Sequence, residues 1–253
     1  MTSILTVTGR STRLPLLCAF LLASKLSAQT GEPAPQIAQA AIAIPDPYAA
    51  AVAKAILIRG GNAVDAAIAT GFALAVTYVD AGNIGGGGFM LTHMDGESAF
   101  LDYREKAALS AHRDMYLDQQ GEVIENATLI GVGAAAVPGT VAGMWAAHQR
   151  YGSLPWRELL QPAIELAREG FMPAPVLVNE IHAHLDWFGN KTNFKDYFSQ
   201  ISAEQLFRQP ELAMTLERIA NQGSADFYRG ESARLIVEQM EKDDCLIRLE
   251  DLA

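Results

Sequence analysis

The chain has 253 residues, 50% of them hydrophobic and 19% charged, with 19 Lys+Arg against 29 Asp+Glu and a formal net charge of −10. That balance excludes a disordered chain, which needs fewer apolar residues and more charge, and a multi-span membrane protein, which needs several apolar runs of about 20 residues. It also argues against nucleic acid as the main partner, because an acidic chain without a strong Lys/Arg cluster has no general attraction to phosphate.

Residues 1–28 read as a secretory signal peptide. Arg10 and Arg13 precede an apolar stretch over residues 14–23, too short to span a bilayer, which leads to Leu26-Ser27-Ala28. The competing reading is a buried N-terminal helix, and a lipid-anchor reading is opposed by Leu17 before Cys18. Removal of these residues takes Arg10, Arg13 and Lys25 with it, deepens the charge from −10 to −13 and leaves Cys245 without a disulfide partner in the chain. Residues 29–43, with Pro33 and Pro35, read as a mobile lead-in to a domain over residues 44–253.

The apolar spacing over residues 46–58 predicts a helix closed by Gly60-Gly61. Asn62 is placed to cap a second helix running from residue 63 to about 78, with Asp65 in its first turn and apolar residues on nearly every side, as in a helix buried between layers. The run Gly82-Asn83-Ile84-Gly85-Gly86-Gly87-Gly88 precedes two strand-like segments, 89–94 and 98–104, joined by Asp95-Gly96, a strong hairpin signal. Residues 129–136 read as a buried strand. Pro138-Gly139-Thr140 opens a helix to Arg150, and a further helix covers 154–169 with Pro162 expected to kink it. Helices are also predicted over 210–222 and 232–242. The last residues do not close a domain: 245–249 could form a short strand and 250–253 the first turn of a helix, so the chain reads as truncated. The order of elements suits a layered α/β or α+β domain.

The glycine run is not a phosphate loop, because such loops follow a strand and open a helix, whereas this one follows a helix and opens a strand. It reads as a place of close backbone packing or unusual dihedrals, with ligand binding as the lesser alternative. Arg104 closes a strand on which Phe100, Asp102 and Arg104 share a face, a position suited to bidentate capture of a substrate carboxylate. The alternative is an internal pair with Asp102 or Glu105. His93, His112, His148, His182 and His184 show no metal-ligand spacing, there is no Gly-x-Ser-x-Gly elbow, and Cys245 beside Asp243 and Asp244 is a disfavoured thiolate. Asn126-Ala127-Thr128 and Asn190-Lys191-Thr192 are glycosylation sequons by pattern alone.

Several ordered segments together resemble the γ-glutamyltransferases (γ-glutamyltranspeptidases, glutathione hydrolases): Gly60-Gly61-Asn62-Ala63-Val64-Asp65-Ala66-Ala67, Ile84-Gly85-Gly86-Gly87-Gly88-Phe89-Met90-Leu91, Asp102-Tyr103-Arg104-Glu105, Val137-Pro138-Gly139-Thr140-Val141-Ala142-Gly143, Tyr151-Gly152-Ser153-Leu154-Pro155-Trp156, Asp226-Phe227-Tyr228-Arg229-Gly230 and Leu249-Glu250-Asp251-Leu252-Ala253. The resemblance runs from about Ile44 to the end. It implies an N-terminal-nucleophile hydrolase fold, an αββα sandwich present here only as part of the large subunit, from a secreted or periplasmic precursor that cleaves itself into two subunits. It implies that Arg104 binds the α-carboxylate of a γ-glutamyl substrate such as glutathione, with Glu105 beside it, and that neither cofactor nor metal takes part. The family's nucleophile is a Thr at the start of the small subunit, which has no counterpart in this chain; Thr140 and Thr192 lack its context. Alternatives on the same fold are a β-lactam acylase or a poly-γ-glutamate depolymerase, and outside it a non-catalytic periplasmic binding protein.

Overall fold

In the computed structural model, residues 40–189, 191–242 and 246–253 are described. The signal peptide, most of the lead-in, the Asn190 sequon position and Cys245 with its two aspartates lie outside these residues.

Helix α1 (Pro47–Ile58) starts where Asp46 accepts the Ala49 N–H at 2.7 Å with Pro47 in the first turn. Its buried residues Ala49, Val52, Ala53 and Ile56 follow the i, i+3, i+4, i+7 spacing of one face. Gly60, at φ +90°, ends it. Helix α2 (Ala63–Thr77) opens on a capping box in which the Asn62 side chain accepts the Val64 and Asp65 N–H groups and Asp65 accepts the Asn62 N–H. Eleven of its 15 residues are buried. The Thr77 hydroxyl donates to Asp46 at 2.8 Å, tying the end of α2 to the start of α1.

Helices α3 (Thr140–Tyr151), α4 (Trp156–Glu169) and α7 (Pro210–Gln222) complete the core around α2. The Trp156 ring meets Phe72 edge-on at 5.5 Å and Trp145 at 5.0 Å, while its buried indole N–H donates to the Ile219 carbonyl at 3.0 Å. Pro162 lies inside α4, which runs on as one helix, and Arg168 pairs with Glu217 of α7 across the outer seam. Helices α5 (Pro175–Phe188), α6 (Phe194–Phe198), α8 (Ser224–Arg229), α9 (Glu231–Lys242) and α10 (Leu249–Leu252) pack around this body. Among the described residues no helix is long and apolar enough to cross a membrane.

Strands β1 (Phe89–Met94) and β2 (Glu97–Asp102) form an antiparallel hairpin over the turn Asp95-Gly96, both at positive φ, pairing Phe89 with Asp102 and Leu91 with Phe100. Met90, Met94 and Leu101 pack on the helical core. On the other face Phe89, Leu91 and Phe100 are 54%, 77% and 64% exposed.

The structure corrects three expectations. Residues 129–136 are not a strand: they are turns and a 3-10 segment, Val132–Ala134, after Gly131 at φ +92°, and their small side chains leave little surface to bury. Strand β2 stops at Asp102, short of Arg104. Residues 246–248 are not a strand either, and α10 begins one residue earlier than the predicted turn. Of the αββα sandwich, the described residues carry a helical layer and one two-stranded sheet.

Candidate functional site

The hairpin ladder continues one pair beyond β2, where the Tyr103 N–H donates to the Gly88 carbonyl at 3.0 Å and the Gly88 N–H returns to Tyr103 at 3.3 Å. Three residues later Lys106 has changed partner and exchanges hydrogen bonds with Val137, at 3.1 and 2.8 Å. Arg104 and Glu105 therefore fall where the chain passes from one neighbour to the next, and this handover is the reason β2 ends before Arg104.

Glycines make that handover possible. A Cβ at Gly87 would lie 2.7 Å from both the Glu105 nitrogen and the Tyr103 carbonyl oxygen, one at Gly139 would run into the same carbonyl, and one at Gly143 into the Tyr103 ring. None of Gly82 or Gly85 to Gly88 is among the positive-φ glycines. Of the two structural roles expected for the run, close packing is thus the one it fills. The Gly86 carbonyl accepts the Gly139 and Thr140 N–H groups at 2.7 and 3.0 Å, and Asn83 joins the two segments by accepting from the Gly86 N–H and the Thr140 hydroxyl.

Arg104 lines two clefts. One, of about 540 Å³, also has Lys106, Gly139, Tyr228 and Arg229 in its wall; the other, of about 700 Å³, is bounded by Glu105, Ala108, Tyr116 and Ala134. The Arg104 side chain is 70% exposed and its Nε stands 3.7 Å from Glu105 Oε2. Asp102 is not its ionic partner: that carboxylate accepts the Arg104 backbone N–H at 2.9 Å. Lys106 and Arg229 bring two further cations to the first cleft in an otherwise acidic chain, with Asp102 and Asp251 opposing them. Sequence reasoning did not single these two out, although Lys106 is two residues from Arg104 and Arg229 stands in a motif that carried the resemblance.

Two tyrosines frame the site. They are Tyr103 and Tyr228; their phenols are protonated at neutral pH, and burial pushes both further above the ordinary 10.0. Thr140 is buried at the start of α3, and the Thr192 hydroxyl accepts the Phe194 N–H. One imidazole nitrogen of each of His148, His182 and His184 meets a backbone carbonyl, and among the described residues no group of three His, Cys, Asp or Glu could hold a metal ion.

Comparison with known proteins places this geometry. The chain is 56% identical over 213 residues to a protein of Pseudomonas aeruginosa named glutathione hydrolase proenzyme, a match covering 84% of this chain and 38% of that relative. Among solved structures, the γ-glutamyltranspeptidase of Pseudomonas nitroreducens superposes with a TM-score of 0.83 at 55% identity, covering 84% of this chain and 64% of that one. That of Helicobacter pylori superposes at 0.80 and 41%, covering 83% and 62%. The chain thus spans well under half the length of the curated relative and shares the fold of these solved structures. The family model described as gamma-glutamyltranspeptidase matches residues 49–253, and the chain belongs to that family.

Proposed function

We propose that the chain forms the substrate-holding part of an enzyme that cleaves γ-glutamyl amides such as glutathione, with Arg104 taking the α-carboxylate of the glutamyl group and Glu105 orienting the guanidinium. The observation that carries this reading is the state of Arg104: exposed, between two clefts, and in loose contact with Glu105 at 3.7 Å. A pair that open contributes little to folding, which leaves the guanidinium donors for a bidentate carboxylate.

The chain spans 38% of the curated relative, and the bond-breaking group is assigned to a segment outside these 253 residues. There, self-cleavage of the precursor exposes an N-terminal Thr. Its hydroxyl attacks the γ-carbonyl carbon while its own amino group takes the proton. The C–N bond breaks, the leaving amine takes up that proton, and water or an acceptor amine then releases the γ-glutamyl group from the acyl-enzyme. The same small subunit completes the αββα sandwich by covering the Phe89, Leu91 and Phe100 face. Residues 1–28 direct the precursor to the periplasm or beyond. No cofactor, metal, nucleic acid or membrane partner enters the proposal.

Expressing the complete reading frame and following p-nitroaniline release from γ-glutamyl-p-nitroanilide tests this. Self-cleavage with activity is expected. Arg104→Ala raises KM by about 30- to 100-fold, the worth of a charge-assisted hydrogen-bond pair, only for substrates with a free α-carboxylate. That selectivity separates the proposal from an acylase whose substrate presents no such group; a depolymerase of poly-γ-glutamate, whose residues each carry a free α-carboxylate, is separated instead by comparing cleavage of the polymer with that of γ-glutamyl-p-nitroanilide. A correctly self-cleaved protein without activity on any γ-glutamyl amide overturns it.

A further inference from the structure

The Arg104 segment is held by an arrangement that carries a cost of its own. Gly139 is the N-cap of α3, and its close approach to the Tyr103 carbonyl excludes any side chain. The helix therefore begins without the Ser, Thr, Asn or Asp that ordinarily satisfies its first N–H groups, and no side chain of its own caps it. The preceding residue, Pro138, has no N–H, and its carbonyl must find a partner outside the Val137–Lys106 ladder. The Gly86 carbonyl takes the Thr140 N–H, and one atom from a distant element serves both the Ala142 N–H and the Pro138 carbonyl. The Tyr228 hydroxyl, at the end of α8, accepts the Ala142 N–H at 3.1 Å and donates to the Pro138 carbonyl at 2.9 Å.

We propose that Tyr228 is a positioning residue for substrate-carboxylate binding: by capping α3 and holding the Pro138 carbonyl, its hydroxyl fixes the Val137–Gly139 segment against which Tyr103, Arg104 and Lys106 are laid. The inference rests on the Arg104 reading given above. Three contacts transmit the effect: Val137 to Lys106 on one side of Arg104, Gly139 against the Tyr103 carbonyl on the other, and Gly139 to Gly86 behind. Tyr228 also lines the same cleft as Arg104, so a shift of Pro138 reshapes the wall that the guanidinium faces. The phenol is protonated, and so able to donate, at neutral pH, and burial pushes its pKa further up.

The test compares Tyr228→Phe, Arg104→Ala and Ile68→Val in the complete enzyme. Ile68 is fully buried in α2 and lines neither of the clefts at Arg104, so its variant reports what loss of stability alone does. The expected result for Tyr228→Phe is a KM raised about 5- to 20-fold for γ-glutamyl substrates with a free α-carboxylate, a matching loss of inhibition by free glutamate, and kcat within about twofold. Ile68→Val lowers Tm with KM unchanged. If Arg104→Ala raises KM and Tyr228→Phe does not, the positioning role is overturned and the Arg104 reading stands; if Arg104→Ala leaves KM unchanged, the reading beneath it falls. Should Tyr228→Phe fail to fold, a fluorinated tyrosine at 228 keeps the ring and lowers the phenol pKa. KM must then rise as pH passes through that lowered value, and a flat profile overturns the proposal.

Discussion

Helix α2 and the β1–β2 hairpin are both rich in apolar residues, yet α2 has eleven of its 15 residues buried while Phe89, Leu91 and Phe100 on the hairpin stand 54%, 77% and 64% exposed. The difference lies in what each can find within these residues. Helix α2 is capped at its start by Asn62, is enclosed by α1, α3 and α4, and has its one charged side chain, Asp65, paired by hydrogen bonds from Asn62 and Ser153. The hairpin satisfies its backbone along one ladder and packs one face on the core. Its other face offers three large side chains to solvent, the kind of exposed apolar patch that marks an interaction surface. One region buries its apolar residues within the described fold; the other leaves an apolar face open.

The contrast can be broken first at Phe72, which is fully buried against Trp156. Phe72→Ala removes an aromatic ring from a site that cannot refill and costs about 4 kcal/mol, or a fall in Tm of about 8–16 °C for a chain of this size. Asp65→Ala comes next, at about 3 kcal/mol, because it strands the Asn62 and Ser153 N–H groups together with the Ser153 hydroxyl. Calorimetric melts of the variants check both. Leu91→Lys lies at the other end. In this chain alone it changes stability by less than about 0.5 kcal/mol and improves solubility, because the side chain is 77% exposed. In the complete protein, if a second layer covers that face, the same substitution blocks self-cleavage and activity. Equal harm to the isolated chain would show that the face is already covered.

The elements legible in the sequence were those whose signals are local. The apolar spacing over residues 46–58 announced α1, Asn62 the start of α2 and Asp95-Gly96 the hairpin, and the helix expected over 210–222 is α7. What could not be read depends on distant partners. Residues 129–136 share the apolar composition of a strand, but none of them is paired; the next residue, Val137, is the one that meets Lys106. Helix α5 carries Leu177, Val178 and Ile181 on its buried face, too few to stand out beside two histidines whose carbonyl partners are not visible in the sequence. Arg104 was placed correctly near the end of a strand and wrongly within it, because the end is set by Gly88 running out on one side and Val137 arriving on the other. The glycines around it were conspicuous in sequence, but the Tyr103 carbonyl they accommodate was not.

The Asp65 carboxylate also bears on the order in which the molecule assembles. Its bond to the Asn62 N–H closes within one helical turn, but its bonds to Ser153 span 88 residues. The α1–α2 pair can therefore dock early, with small loss of chain entropy, while Asp65 remains hydrated on one side until α3 and the start of α4 arrive. When they do, water is expelled from a carboxylate that is 0% exposed in the finished fold. Asp65 thus acts as a late latch. Ser153→Ala should speed unfolding far more than it slows folding, and the kinetic lifetime of the native chain rests on a contact that contributes little to reaching it.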